Sequence, residues 1–90
     1  MPDTCDIPIQ VISLCNADGK IQPLRFRYED RDQRMHTVRI LEIIDTHTVT
    51  YVGVEGFRYL CRAEDDEYTH LFELSYAFRS HRWKLSRILY

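Results

Sequence analysis

Apolar and polar residues alternate along several stretches of this chain, and a period of two is typical of β-strands that bury one face. The clearest short example is residues 24–28, where Leu24, Phe26 and Tyr28 alternate with two arginines. The longest example is residues 68–78, where every second position is aromatic, leucine or histidine. Both stretches predict strands with one buried and one wet face.

Weaker strand patterns lie between turn signals. Residues 7–15 have apolar side chains at both parities, which predicts a strand covered on both faces. Pro8 indicates that this strand starts there or lies at a sheet edge, because proline lacks a backbone donor. Further strands are predicted over residues 35–44, 48–54, 57–63 and 83–87. Turns or loops are predicted at residues 16–19, 29–34, 45–47, 64–67 and 80–82. Six or seven short strands predict an all-β domain, a small antiparallel barrel or sandwich.

The C-terminal part of the chain has a second interpretation. Leu74, Phe78, Leu85 and Leu89 also fit one face of a helix, and neither glycine nor proline interrupts the chain after Gly56. A C-terminal helix over residues 74–90 is therefore the alternative to the last strands.

Composition fits one ordinary globular domain. The chain has 90 residues, of which 44% are hydrophobic and 29% are charged, a balance that disordered chains do not have. Residues 1–6 are polar and are expected to be a flexible N-terminus. Residues 7–90 are expected to form a single domain, because no linker or internal repeat divides them.

Three cysteines at irregular spacing do not make a disulfide framework, which favours a reducing compartment. The first residues lack the features of a signal peptide, and no run approaches the roughly 20 apolar residues that span a bilayer. The sequence therefore predicts a cytoplasmic protein without a membrane partner.

Charge is unevenly distributed along the chain. Residues 74–90 carry four of the 12 basic side chains and none of the 14 acidic ones. Basic and aromatic residues mixed on a β-surface can contact phosphates and stack on bases, so nucleic acid or a regulatory ligand is a candidate partner. The sequence pI of about 6.0 argues against nucleic acid. The candidate binding surface comprises Arg79, Arg82, Trp83, Lys84 and Arg87.

Other chemistry finds little support. Cysteines and histidines are not spaced as metal ligands, so no metal and no cofactor is expected. The glycines do not form a phosphate loop and no nucleophile motif appears, so no catalytic residue is assigned. His70 is expected at the edge of the core, and Cys15 and Cys61 inside it. The acidic clusters Glu29–Asp32 and Glu64–Glu67 are interpreted as solvated loops, because the pattern of a calcium loop is missing.

Five short motifs carry a resemblance to known proteins. They are Leu24-Arg-Phe-Arg-Tyr28, Thr37-Val-Arg-Ile40, Arg58-Tyr-Leu-Cys-Arg62, Leu71-Phe-Glu-Leu-Ser-Tyr76 and Trp83-Lys-Leu85. In this order they resemble a group of small uncharacterised bacterial proteins and the WYL domain of bacterial transcription regulators. The resemblance to the WYL domain covers residues 24–78, and Tyr59-Leu60 matches part of its motif. Both resemblances imply an SH3-like or Sm-like barrel; neither assigns a ligand to a residue.

These observations favour a non-catalytic interaction or accessory module over an enzyme. Such a module would use an exposed sheet edge or a homodimer contact to bind a protein partner. Binding of nucleic acid or a regulatory ligand at the basic C-terminal surface is the alternative.

Overall fold

The chain forms an all-β domain in the computed structural model, which describes residues 3–66 and 68–89. These ranges contain seven strands and no helix, so no helix there could cross a membrane. The strands are β1 (Asp3–Pro8), β2 (Gln10–Cys15), β3 (Ile21–Glu29), β4 (Met35–Tyr51), β5 (Val54–Asp65), β6 (Tyr68–Ala77) and β7 (Arg82–Leu89). The all-β prediction is confirmed, and the strands predicted over residues 24–28 and 68–78 correspond to β3 and β6.

All seven strands belong to one antiparallel sheet in the order β1-β7-β6-β5-β4-β3-β2. β1 and β2 stand at opposite ends of this order, yet only Ile9 separates them along the chain. The two ends of the sheet must therefore converge at Ile9, whose backbone N–H donates to the carbonyl of Trp83 at 3.2 Å. This requirement curls the sheet into a half-barrel with an inner and an outer face.

The inner face holds the hydrophobic core. It is centred on aromatic residues of the middle strands, and Phe26 and Phe72 meet edge to face with ring centroids 5.4 Å apart. Tyr59 is also buried, and its hydroxyl donates to the carbonyl of Ile21 at 2.6 Å. The buried apolar set is Phe26, Tyr28, Val38, Tyr59, Cys61, Ala63, Phe72, Leu74, Tyr76, Trp83, Leu85 and Ile88.

β4 is one long strand, although the sequence predicts a break at residues 45–47. The pairing with β5 shifts once between Ile40 and Glu42 and again between Ile43 and Asp45. Each shift inserts one unpaired residue and changes which parity faces inward. The strand therefore continues through the predicted break, and Ile40 and Ile43 both pack against the core.

The C-terminal residues form a strand, so the alternative of a helix over residues 74–90 is wrong within the described part. β7 pairs with β6 from Arg82 opposite Ala77 to Leu89 opposite Leu71, with a shift that leaves Ser86 as the extra residue. Because of this bulge, Leu85 and Ile88 both face the core although they lie three positions apart. The stripe that suggested a helix is divided between two strands, with Leu74 in β6 and Leu85 and Leu89 in β7.

The N-terminal segment differs from the sequence prediction. β1 begins at Asp3 and pairs with β7, so residues 3–6 of the segment expected to be flexible belong to the sheet. Met1 and Pro2 lie outside the described residues. The reason is that β7 offers backbone hydrogen bonds to a neighbour of any sequence.

All five hairpin turns from β2 to β7 place a residue at positive φ, and two of them are informative. The predicted turn at residues 16–19 is confirmed, and Gly19 has a φ of +89° there. Between β4 and β5, Val52 and Gly53 have φ values of +49° and +78°. Positive φ at both central residues is the requirement of a two-residue type I′ turn, which follows the twist of the strands.

Candidate functional site

The free edge of β2 is the first candidate site. β2 lies at one end of the sheet, pairs with β3 on one side, and has no strand on its other side among residues 3–66 and 68–89. Its six residues, Gln-Val-Ile-Ser-Leu-Cys, include no charge and no proline. Natural edge strands normally carry a charge, a proline or a bulge that prevents pairing with another chain. β2 has none of these on its own backbone, because its register shift inserts the extra residue, Leu24, into β3.

The other end of the sheet is protected by contrast. β1 contains Asp3, Asp6 and Pro8 in its six residues, and the Asp6 carboxylate lies 3.4 Å from the Lys84 Nζ atom. Charges and a proline are the features that discourage strand addition. The comparison singles out β2 as the edge that is open to a partner.

Apolar side chains on the outer face flank this edge. Val11 faces the core, so its neighbour Ile12 faces outward, and Ile12 is 50% exposed. Leu14, Leu24 and Leu41 are between 39% and 47% exposed. The sequence prediction that residues 7–15 are covered on both faces is therefore wrong, because nothing described here covers the outer side of β2. We call Ile12, Leu14, Leu24 and Leu41 the outer apolar patch.

Two arginines stand directly beside β2. Arg27 pairs with Gln10, and Arg25 pairs with Ile12, in successive rows of the sheet. A groove of about 400 Å³ beside this edge is lined by these four residues together with Val11, Phe26 and Thr37. Both arginines are exposed, and neither forms an ion pair with any described residue.

Other arginines of the outer face lie close to carboxylates. Arg39 of β4 lies 2.8 Å from Glu64, and Arg62 of β5 lies 3.6 Å from Glu42. Within residues 3–66 and 68–89, the two arginines next to the open edge thus have no acidic partner, while Arg39 and Arg62 of the inner strands each have one.

A second cluster joins the two acidic loops that the sequence treats as solvated. His36 at the start of β4 lies between them, with its Nε2 atom 2.7 Å from Asp30 Oδ2 and its Nδ1 atom 3.2 Å from Asp65 Oδ2. The ring of Tyr28 stacks on His36 at a centroid distance of 4.8 Å, and its hydroxyl donates to Asp65 at 3.4 Å. Asp65 is buried, so the interpretation of this residue as part of a solvated loop is wrong. Glu67 lies outside the described residues.

The local chain positions Asp30. Its Oδ1 atom accepts hydrogen bonds from the backbone N–H groups of Asp32 at 2.8 Å and Arg34 at 3.0 Å, which closes the β3–β4 turn. The Oδ2 atom is thereby aimed at His36. These bonds, with that of His36 first, hold the pKa of Asp30 below its usual 3.8.

The surroundings of His36 favour its protonated form. Only the protonated ring carries a hydrogen on both nitrogens, and both face a carboxylate. The bond to Asp30 is the main cause that raises the pKa of His36 above 6.5, and Asp65 adds to it against the effect of burial. His36, Asp65 and Asp66 could supply one metal ligand each, since their ligand atoms lie within 4.8 Å of one another. A metal there would replace the contact between His36 and Asp65.

This cluster makes stability depend on pH. The raised pKa of His36 means that its contribution is complete below pH 6.5 and is lost as the pH rises through the folded value. The lowered pKa of Asp30 means that its contribution is present above pH 3.8 and is lost on acidification. We expect His36→Gln to lower the urea midpoint at about pH 5.5 and to have a smaller effect at about pH 9. His47→Gln is the control, because His47 is 51% exposed; an equal pH profile for both variants would contradict the assignment.

The predicted C-terminal surface is only partly assembled. Trp83 is 9% exposed and packs on the inner face against Tyr76 at a centroid distance of 4.8 Å. Lys84 and Arg87 face outward beside acids, and Arg87 Nη2 lies 2.7 Å from Glu73 Oε2. Arg79 and Arg82 are exposed and form no ion pair with a described residue. The structure therefore separates Trp83 from the four cations.

Glu73 and two arginines form an ion cluster on the outer face. Glu73 is only 7% exposed, and Arg58 Nε lies 3.4 Å from its Oε1 atom on the side opposite Arg87. A buried carboxylate requires such cations to offset its lost hydration. The pairing accounts for Arg87 as a structural residue.

The two free cysteines and His70 differ in how far they match their predicted positions. Cys61 is buried as expected, and burial raises the pKa of its thiol to about 12, which keeps it an unreactive thiol. Cys15 is exposed at the end of β2, so its prediction as a core residue is wrong. His70 is half-buried and meets Phe72 edge to face at 6.0 Å, at the margin of the core as predicted.

Comparison with family models, with curated proteins and with solved structures finds no match to this chain. The resemblance to small bacterial proteins and to the WYL domain stays a prediction.

Proposed function

We propose that this chain is a non-catalytic interaction module that binds an extended segment of a partner along the free edge of β2. The observation that carries the proposal is the contrast between the two sheet ends: β2 is uncharged and flanked by the outer apolar patch, while β1 carries aspartates and a proline. Unpaired N–H and C=O groups of an edge strand provide the affinity in strand addition, and neighbouring side chains provide the specificity.

Two further observations support a non-catalytic role. The inner face, where a barrel-like sheet would hold a ligand, is filled by aromatic side chains such as Phe26, Tyr59 and Phe72. The polar clusters around His36 and Glu73 consist of mutually paired charges. Such pairing serves stability, since each carboxylate already has a cation beside it.

We also propose that the half-barrel is SH3-like and that the protein is located in the bacterial cytoplasm. The fold class and the motif resemblance support the first. An exposed free thiol at Cys15 and a second free thiol at Cys61 support a reducing compartment.

Nucleic-acid binding at the C-terminal surface is less well supported. Stacking of bases needs exposed aromatic rings, whereas Tyr76 is 8% and Trp83 is 9% exposed. Lys84 and Arg87 already lie near carboxylates, which leaves Arg79 and Arg82 for phosphate contacts.

Selection from a displayed library of extended peptides tests the proposal. The full chain serves as bait, and the selected peptides are measured against Ile12→Asn/Leu14→Asn, which removes apolar contacts at the edge without changing charge. We expect at least about tenfold weaker binding, because one or two lost apolar contacts correspond to about 1.4 kcal/mol or more. The matched control is Val52→Asn/Val54→Asn, which changes two valines, 84% and 58% exposed, at the distant end of the β4–β5 hairpin.

The outcomes are distinct. Peptides that bind the wild type and the control equally, but not the β2 variant, support the proposal. A selection that yields no peptide, or peptides indifferent to the β2 substitutions, would contradict it.

A further inference from the structure

The partner segment that fits β2 can be specified by its chemistry. We infer that it is an extended peptide in which acidic side chains alternate with apolar ones, and this inference rests on the proposed function. The reason is the arrangement of cross-strand pairs on the outer face, where arginines and apolar residues lie next to the open edge.

The rows determine which side chains a partner would meet. A strand added to β2 would lie one strand spacing from Ile12 and two spacings, about 10 Å, from Arg25 and Arg27. An arginine and a glutamate side chain that extend towards each other can span this distance. They would pass over the β2 side chain between them, which is Ile12 beside Arg25 and Gln10 beside Arg27. Acidic residues of the partner on the outer face would therefore reach the two arginines.

Charge complementarity selects the acidic segment over a basic one. Arg25 and Arg27 have no acidic partner among the described residues, and β2 itself has no charge that could neutralise them. A lysine-bearing segment would be repelled by both arginines, whereas a glutamate-bearing segment would supply the missing counter-charges. The partner's apolar side chains, which alternate with the acidic ones, would face the inner side of the sheet, where Val11 of β2 packs against the core.

The residues that line the groove beside β2 suit an acidic peptide. The groove combines three apolar residues with two cations and two uncharged polar residues, and its lining is Gln10, Val11, Ile12, Arg25, Phe26, Arg27 and Thr37. This composition suits a carboxylate side chain that crosses β2, with its methylene groups against Ile12.

Two synthetic peptides test the inference directly. Both are capped at their ends and have roughly seven residues, enough to span an ordinary strand; one alternates valine with glutamate and the other alternates valine with lysine. Binding to the full wild-type chain is measured by fluorescence anisotropy at low and at high salt. We expect the glutamate peptide to bind at least about tenfold more tightly at low salt, with the difference shrinking as salt is added.

Paired variants assign the preference to the two arginines. Arg25→Gln/Arg27→Gln is expected to abolish the preference for the glutamate peptide. Arg31→Gln/Arg34→Gln is the matched control, because it removes the same charge from exposed arginines of the β3–β4 turn that form no ion pair with a described residue. The control is expected to keep the preference.

The results separate this inference from the proposed function. Equal binding of both peptides, with loss in Ile12→Asn/Leu14→Asn, would overturn the acidic partner and leave strand addition in place. Self-association of the wild type that the β2 variant abolishes, without peptide binding, would make a second copy the occupant and also overturn the inference. Absence of peptide binding and of self-association would overturn both.

Discussion

Replacement of Phe72 by alanine is expected to lower the free energy of unfolding by about 3–5 kcal/mol. Phe72 is fully buried at the centre of the sheet, in β6, where its neighbours across the strands are Cys61 and Ile88. Its ring meets that of Phe26 edge to face at 5.4 Å. The substitution removes this contact and leaves a cavity in a closely packed core that relaxes only partly.

The loss is large for a domain of this size, because small proteins have a total stability of only about 5–15 kcal/mol. Urea unfolding of the wild type and variant measures it. Tyr68→Ala is the matched control, since Tyr68 is an aromatic residue of the same strand that is 65% exposed. An equal loss of stability in the two variants would contradict the position of Phe72 in the core.

Alanine at Gly56 is expected to cost about 3 kcal/mol or more, which is at or above the upper end of ordinary overpacking. A Cβ atom at this position would lie 2.0 Å from the carbonyl oxygen of Tyr76, a backbone atom of β6. The collision is with the neighbouring strand rather than with a flexible side chain. The two strands would have to separate where Gly56 pairs with Ala77.

Gly53→Ala provides the comparison for Gly56. Gly53 has a φ of +78° and open space around its Cβ position, so its substitution costs only the backbone term of about 1–2 kcal/mol. Thermal or urea unfolding of both variants gives the difference. A larger loss at Gly53 than at Gly56 would show that the close approach of β5 and β6 is wrong.

Sequence patterns could predict the fold class because the core strands keep a strict period of two. β3 and β6 bury Phe26, Tyr28, Phe72 and Leu74 at alternate positions. Leu24 departs from the predicted alternation, because it is the extra residue of the β3 bulge and is 46% exposed. The pattern fails where a bulge changes the phase, as in β4 after Ile40 and in β7 at Ser86. At such points the hydrophobic pattern of one long strand resembles the pattern of two short strands or of a helix.

The contacts of the His36 cluster could not be predicted from the sequence as well as the fold class could. His36 contacts Asp30 and Asp65, and the second of these lies 29 positions away along the chain. Only the pairing of β4 with β5, which sets Val38 opposite Asp65, brings them together. A histidine shortly after one acidic loop was the available signal, and the alternation of Met35 to Val38 places its side chain on the same face as Val38.

The open edge depends on topology, which local patterns do not contain. Apolar residues at both parities of β2 are equally expected of a covered central strand and of an edge strand with an outward binding face. The sheet order decides between them, because it gives β2 only one neighbour. Trp83 alternates with Lys84 in β7 and faces the core, where its ring packs against Tyr76.

Hydrogen–deuterium exchange of the β2 amides, with and without the valine–glutamate peptide, tests the central claim most directly. The proposed strand addition predicts slower exchange of amides within Gln10–Cys15 when the peptide is bound, because new backbone hydrogen bonds form along the free edge. Exchange of the β1 amides should stay unchanged. Peptide binding without protection of β2, or with protection confined to β1 or to the C-terminal turn, would contradict the account.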